Sequence, residues 1–235
     1  MKRQRHCLPL LLLVPFLLHP AENARAATDA EIIDRIYQRV SEFEKKFPGT
    51  HVRRTMTVTE TDPDSNEVRR TLVSEQEVWN RVGERPRIEI LSCKVDGEVA
   101  KAKACQRRER DREPPYRVFG PDGHTHYRYE LLPPDPAASP TTYRLKVIPR
   151  ERTERHFEGI LDFHAESLRL MASRGTIADY PMGLKRFSLE LLFGELDGYP
   201  VPTEAKMDMT LYLPLILDVR VVSQAVAYDQ QFLTQ

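Results

Sequence analysis

The stretch Ala205-Lys-Met-Asp-Met-Thr-Leu-Tyr-Leu213 indicates the fold class of this chain. The apolar series is Ala205, Met207, Met209, Leu211 and Leu213, and the series between it is Lys206, Asp208, Thr210 and Tyr212. Successive side chains of a β-strand point to opposite faces of the sheet. This alternation therefore predicts a strand with one apolar face and one more polar face.

The same signal extends outward from this strand in both directions. Phe187, Leu189, Leu191 and Phe193 alternate with polar residues, and Asp197-Gly198 is a hairpin turn signal. Other predicted strands lie around residues 52–59, 68–82, 87–91, 143–149, 157–163, 168–171 and 217–228. About ten strands joined by short turns predict an antiparallel meander in an α+β, mainly β chain.

One helix is expected before the strands. Thr28 can cap it, and Glu31 completes a capping-box pattern. The apolar stripe of this predicted helix is Ile32, Ile33, Ile36, Tyr37, Val40, Phe43 and Phe47. A sheet of this width either curls or closes, so we expect it to curl around the amphipathic helix.

Residues 1–26 are predicted to be a cleaved signal peptide. Three basic residues precede an apolar run from Cys7 to Leu18, and Ala24-Arg-Ala26 presents small residues where signal peptidase cuts. The expected cut lies between Ala26 and Ala27, which leaves 27–235 as a single exported domain. The alternative, a membrane anchor, needs about 20 apolar residues, more than this run provides.

Cleavage would make the chain mildly acidic. The full sequence has 35 basic and 35 acidic side chains, and losing four basic residues and one acidic residue leaves a formal net charge of −3. Nucleic-acid binding needs a basic face, so we expect no nucleic-acid partner. The later run Leu211–Leu217 is short and contains Pro214, so no integral membrane segment is expected after cleavage.

Cys93 and Cys105 are the cysteines that remain after cleavage. An even pair in an exported protein is most simply a disulfide, and we predict that bond. The alternative is a metal-binding or redox thiol pair. It lacks the C-x-x-C spacing and a neighbouring histidine.

Five short segments of the C-terminal half form a recurring arrangement of strands and turns. They are Tyr143-Arg-Leu-Lys-Val-Ile-Pro149, Glu158-Gly-Ile-Leu-Asp-Phe163, Leu168-Arg-Leu170, Lys185-Arg-Phe-Ser-Leu189 and Asp197-Gly-Tyr-Pro-Val-Pro202. This arrangement resembles the LolA-like group of exported proteins, which includes periplasmic lipoprotein carriers, outer-membrane lipoprotein receptors and envelope-stress sensor domains. The likeness covers residues 143–213 in local pattern and roughly 29–230 in element order.

The resemblance implies a curved antiparallel half-barrel in the periplasm, with helices over an apolar cavity for acyl chains. It also implies a second lid helix, which would have to come from 94–115 or 176–184. The candidate cavity-lining residues are Met56, Val58, Phe187, Leu189, Leu191, Phe193, Met207, Met209 and Leu211. Methionine adapts to flexible chains, but a filled core remains the alternative because every half-buried sheet shows such alternation.

The sequence therefore favours two functions over a third, an exported enzyme, which only the histidines would support. The first is an envelope protein that binds a lipid, an acyl chain or a lipoprotein moiety in trafficking or sensing. The second is a periplasmic interaction or sensor module with a filled core, contacting a partner protein through the charged segment 101–113. That segment carries both charge signs, which is also typical of a solvated helix or loop, and whether 94–115 is helix or loop stays open.

The sequence gives little indication of a catalytic or metal-binding site. The sequence contains no nucleophile, zinc-protease or phosphate-loop motif, so we expect no enzyme, cofactor or metal. His124, His126, His156 and His164 could meet in a metal site if their strands adjoined. Gly120-Pro-Asp-Gly123 suggests an exposed turn, and we expect surface histidines instead.

Overall fold

The computed structural model describes residues 27–81, 84–106, 115–133, 142–213 and 216–233. The predicted signal peptide lies outside these residues. The elements are α1 Asp29–Lys46, β1 Thr50–Thr61, β2 Val68–Asn80, β3 Arg87–Val95, β4 Glu98–Val99, α2 Ala102–Cys105, α3 Gly123–His126, β5 Tyr127–Leu132, β6 Thr142–Pro149, β7 Phe157–His164, β8 Leu170–Ile177, β9 Leu184–Leu196, β10 Tyr199–Leu213 and β11 Ile216–Phe232. The predicted mainly β fold with an N-terminal helix is confirmed.

Helix α1 begins with the predicted capping box. The Glu31 amide donates to Thr28 Oγ1 at 3.3 Å, and the Thr28 amide donates to Glu31 Oε2 at 2.7 Å. Acidic residues in the first turn and Lys45 and Lys46 in the last complement the helix dipole. Ile32 and Ile36 are buried, so the helix is anchored by its apolar stripe. No helix in the described ranges is long and apolar enough to cross a membrane.

All eleven strands form a single antiparallel sheet in the order β4-β3-β2-β1-β11-β10-β9-β8-β7-β6-β5. Strands that are consecutive in the chain are neighbours, as the meander prediction expected, with one exception: β4 and β5 lie at opposite edges. The first strand instead pairs with the last, from Thr50 opposite Phe232 to Thr61 opposite Arg220. The sheet is open along the β4 and β5 edges and is consistent with a half-barrel.

The register defines the two faces of the sheet, because directly opposite residues of antiparallel strands project to the same side. One row runs through Leu131, Leu145, Leu161, Ser173, Leu191, Ala205, Ala225, Met56, Ser74 and Cys93. A second runs through Tyr129, Val147, Gly159, Gly175, Leu189, Met207, Ser223, Val58, Leu72 and Val95. We call the side that carries these rows the inner face.

The main core lies between α1 and the β5–β7 end of the inner face. Its buried members are Ile32, Ile36, Phe119, Tyr127, Leu145, Val147, Leu161, Phe163 and Leu168. The helix therefore covers one end of the sheet, and both inner rows continue beyond this cluster toward β3.

The opposite, outer face carries charge pairs. Arg174 bonds Asp162 at 2.6 Å and Glu190 at 2.7 Å, and Arg220 bonds Asp208 at 2.7 Å. Such solvated pairs contribute little stability each. The ion pairs do indicate that the outer face is the solvent-facing side of the sheet.

The predicted disulfide joins Cys93 of β3 to Cys105 of α2, with the Cα atoms 5.9 Å apart. It fastens the edge of the sheet to the segment that follows β4. Two regions are the candidates for a lid helix. Residues 176–184 contain no helix, and the helix in the described part of 94–115 is limited to the four residues of α2.

Candidate functional site

The nine predicted cavity-lining residues all belong to one face. Met56 and Leu191 lie in the first inner row, and Val58, Leu189 and Met207 lie in the second. Met209 opposes Phe187, while Leu211 and Phe193 continue the same alternation along β10 and β9. Whether they line a cavity stays a prediction, but the register brings them together.

These nine side chains differ in exposure from the core beside α1. Leu145 and Phe163 are fully buried, whereas eight of the nine remain partly exposed, Met209 being the buried one. The open part of the inner face is therefore apolar and partly accessible to water. A contiguous group of partly exposed apolar side chains is compatible with a binding surface.

Strand β11 forms a low strip through this open part. Its inner-face side chains Ser223, Ala225 and Ala227 are small. Met56 and Val58 flank the strip from β1, and Met207 flanks it from β10. Methionine side chains are flexible enough to move aside for an apolar ligand.

At one end of the sheet, a cavity of about 340 Å³ opens between the C-terminal half of α1 and the strands. It is lined by Val40, Phe43, Glu44, Phe47, Thr50, Asn80, Leu170, Tyr199, Pro200 and Pro202. None of the nine predicted residues is among them. The sequence signal for this cavity was the extension of the helical stripe to Phe43 and Phe47, together with the proline-rich start of β10.

Aromatic rings form the wall of this cavity. The Tyr199 ring lies 5.7 Å from Phe43, 5.9 Å from Phe47 and 5.4 Å from Phe232, measured between centroids. These tilted and edge-on contacts are the favoured arrangements of aromatic pairs. Phe232 ends β11, so the aromatic cavity lies at the end of the same strand whose small side chains form the strip.

Glu44 supplies a carboxyl group at the rim of this cavity. Burial raises its pKa, and its ion pair with Arg117 opposes that shift. The apolar wall thus meets a charged rim on the helix side.

Arg54 is a charged residue within the apolar series of β1. Counting by twos from Val52, the inner-face positions are Val52, Arg54, Met56 and Val58, and Arg54 opposes Gln76 on β2. Its Nε and Nη2 donate to Gln76 Oε1 at 3.0 and 2.9 Å. A charged residue at an apolar position of a strand was the available sequence signal for this site.

The histidines depart from the surface prediction. His124 is exposed and stacks on Tyr37, as a surface residue can, but His156 is only 2% exposed. His124 and His126 also lie in the short helix α3 and not on a strand. The expectation of surface histidines is therefore wrong for His156, because Tyr116 and Tyr127 pack against its ring.

His156 belongs to a compact aromatic group. Tyr116 stacks on His126 with centroids 3.8 Å apart, and His126 and His156 lie 5.4 Å apart. Thr153 Oγ1 and His156 Nδ1 form a hydrogen bond of 2.7 Å, while Nε2 of His156 is buried without a hydrogen-bond partner in the described structure. Burial lowers the pKa of His156, and the neighbouring His126 adds to this. His164 lies apart, on β7, with Nδ1 near Ser167.

Among the described residues, no three His, Cys, Asp or Glu side chains are grouped so that they could hold a metal ion. Cys93 and Cys105 are bonded to each other in the disulfide. The charged segment 101–113 is described only to residue 106, so its role as a contact surface stays a prediction.

Comparisons with known proteins give structural matches only. No protein-family model matches the chain, and no curated protein does. The chain is similar to a LolA superfamily protein from Nitrosomonas europaea at 12% identity, with 86% of this chain and 94% of that chain covered and a TM-score of 0.44. An outer membrane lipoprotein-sorting protein domain from Vibrio parahaemolyticus matches at 11% identity, with coverage of 86% and 93% and a TM-score of 0.46.

A third match is the MucA/MucB complex of Pseudomonas aeruginosa, at 13% identity, 86% and 100% coverage and a TM-score of 0.28. The names of the first two proteins place them in the group that the sequence resembles. Similarity at this level assigns no function to the chain.

Proposed function

We propose that this protein is exported to the periplasm and holds an acyl chain of a lipid or lipoprotein on the inner face of its half-barrel. The observation that carries the proposal is the asymmetry of the sheet. The large apolar side chains on the inner face between β9 and β1 are partly exposed, apart from Val52, Met209 and Val221, while the outer face of the same strands carries ion pairs. In a domain with a filled core, these side chains would be expected to be as buried as Leu145 and Phe163 beside the helix.

The dimensions of the strip on β11 suit an acyl chain. From Ser223 to Ala227 the strip spans about 13 Å at roughly 3.3 Å per residue. One acyl chain spans about 15 Å, half of a bilayer core of roughly 30 Å. The strip therefore nearly matches the length of one chain, and the strand continues from it to Phe232, which contacts Tyr199 of the aromatic cavity.

Hydrophobic burial provides enough free energy for such binding. Each methylene removed from water contributes about 0.8 kcal/mol. Two further methylenes then tighten the Kd by about 10-fold, since 1.4 kcal/mol corresponds to one decade. An affinity that rises steeply with chain length is the expected signature.

The test uses the neutral fluorescent probe N-phenyl-1-naphthylamine, displaced by straight-chain alcohols from octanol to tetradecanol. The protein is first refolded from denaturant so that co-purified lipid is lost. We expect probe binding, with displacement that strengthens along the alcohol series. A refolded protein that binds neither the probe nor any of these alcohols would overturn the proposal.

Met207 and Lys206 provide a matched pair for the same assay. They are neighbours on β10, but Met207 projects to the inner face and Lys206 to the outer face. Met207→Gln is expected to weaken dodecanol binding by about 3- to 10-fold, since it places a polar group on the apolar surface. Lys206→Gln should change the Kd less than about 2-fold. Equal effects of the two substitutions would contradict binding at the inner face.

A protein-docking role is the other outcome of this test. In that outcome the protein binds none of the alcohols yet crosslinks in cells to an envelope protein through residues 101–113. That result would favour the interaction module over the lipid-binding protein. Native mass spectrometry of the protein from its own envelope complements both assays, because a co-purifying lipid is expected only for the proposed function.

A further inference from the structure

Arg54 lies beside the strip on β11, inside the apolar part of the inner face. The register places it opposite Ala227 on one side and Gln76 on the other. Gln76 is only 4% exposed, whereas Arg54 keeps partial exposure. The guanidinium is therefore held against the buried Gln76 side chain and remains accessible from the open inner face.

A small hydrogen-bond chain fixes the orientation of Arg54. Gln76 Oε1 accepts from both Nε and Nη2 of the arginine, and Gln76 Nε2 donates to Ser74 Oγ at 2.9 Å. The guanidinium has five N–H donors. Two are used by Gln76, and three remain for another acceptor.

The partner of Arg54 is neutral, in contrast to the partners of arginines on the outer face. Arg53, the preceding residue, bonds Glu77 at 2.8 Å, and Arg174 and Arg220 also hold carboxylates. The described part of the chain gives Arg54 no carboxylate, and burial alone lowers its pKa. A partly buried cation without an anion is unfavourable unless something compensates its charge.

We propose that Arg54, oriented by Gln76, binds the carboxylate or phosphate oxygens of an anionic amphiphile whose hydrocarbon tail lies along β11. This inference rests on the proposed function and adds the class of head group to it. An oxyanion fits because the planar guanidinium can donate two parallel hydrogen bonds to it. It also supplies the negative charge that the inner face lacks at this point.

The experiment compares four ligands built on a twelve-carbon chain that displace N-phenyl-1-naphthylamine from the refolded full-length mature chain: dodecanoate, dodecyl phosphate, dodecanol and dodecyltrimethylammonium. The wild-type protein is expected to bind the two anions more tightly than the alcohol and the cation. The ratio of the two anions distinguishes a fatty-acid carboxylate from a phosphate head group.

Three variants test whether Arg54 causes the preference for anionic ligands. Arg54→Gln should weaken both anions by about 10- to 100-fold, the range expected when hydrogen bonds to a charged group are lost. Dodecanol should change by less than about 3-fold. Arg54→Lys keeps the charge but loses the planar guanidinium that can donate two parallel hydrogen bonds, so it should retain part of the preference for anions. Arg53→Gln removes the same charge from the outer face and should leave all four affinities unchanged.

The outcomes separate this inference from the proposed function. Binding of all four ligands with equal affinity by the wild-type chain would overturn the role of Arg54 while leaving acyl-chain binding intact. The same holds if Arg54→Gln and Arg53→Gln weaken the anions equally, since that would indicate a general charge effect. The wild-type comparison and Arg54→Lys keep the inference testable even if Arg54→Gln does not fold.

Discussion

Gly175→Ala is expected to destabilise the sheet by a measurable amount, although it adds only one methyl group. Gly175 opposes Gly159 in the second inner row, and the Phe157 ring lies over both. A Cβ atom at Gly175 would lie 2.5 Å from two ring carbons of Phe157, and closer still to the carbonyl oxygen of Glu158. The ring can move, but the carbonyl belongs to the paired strand and cannot move without disturbing β7.

Overpacking of this kind costs about 1–3 kcal/mol. For a chain of this size, 1 kcal/mol lowers the Tm by roughly 2–4 °C, so 2 kcal/mol would lower it by about 4–8 °C. The assays are thermal unfolding, which gives the Tm, and urea unfolding with the midpoint compared at constant slope, both followed by circular dichroism. Gly194→Ala serves as the control, because its Cβ would meet only a side-chain methyl of Thr203, at 2.7 Å.

We expect the control to cost less than half as much as Gly175→Ala. In a Phe157→Leu background the cost of Gly175→Ala should fall, since part of the clash is with the ring. A Gly175→Ala protein as stable as the wild type would refute the packing argument and the close approach of β7 and β8.

The remaining predictions concern the disulfide and the buried histidine. Cys93→Ser combined with Cys105→Ser removes a link between residues 12 apart, and urea unfolding should show a loss of about 3 kcal/mol in the chain-entropy model; an unchanged midpoint under oxidising conditions would contradict it. The pKa of His156 is lowered by burial from its ordinary 6.5, so the unfolded chain takes up a proton first as the pH falls. Its contribution to stability is thus fully present above about pH 6.5 and is lost progressively below it, and a His156→Gln variant should show a smaller drop in unfolding free energy between pH 7 and pH 5 than the wild type.

The strands and the helix could be predicted because their signals are local. Met207 and Met209 alternate with polar residues, and Thr28 with Glu31 forms a cap that the structure retains. A single apolar face per strand also determined that the predicted lining residues fall on one side. These properties depend on neighbouring positions in the chain and need no knowledge of the partner strands.

The edges of the sheet could not be predicted in this way. A simple meander leaves its first and last strands at the edges, whereas here Thr50 opposes Phe232 and the opening lies between β4 and β5. Both arrangements satisfy the same local alternation, and their difference depends on contacts between distant strands. The burial of His156 likewise depends on Tyr116, which reaches it from 40 residues earlier in the chain.

The candidate site was predictable in part for the same reason. The nine lining residues follow from alternation, but the aromatic cavity requires Phe43 of the helix to meet Tyr199 of β10. Alternation alone places Arg54 on the face of Met56, but its position between Ala227 and Gln76 required the pairing of the neighbouring strands.

The pairing of β1 with β11 also has a consequence for how the chain acquires its fold. Thr61 and Arg220, joined by a hydrogen bond in this pair, are 159 residues apart. Contacts across such separations form late, since loop closure must precede the gain from pairing. Strands β1–β4 and β5–β10 can each assemble from local hairpins, but they become one sheet only when β11 inserts between them. Until then both halves present unpaired edges and apolar surface, so we expect the chain to depend on protection from aggregation until β11 has paired.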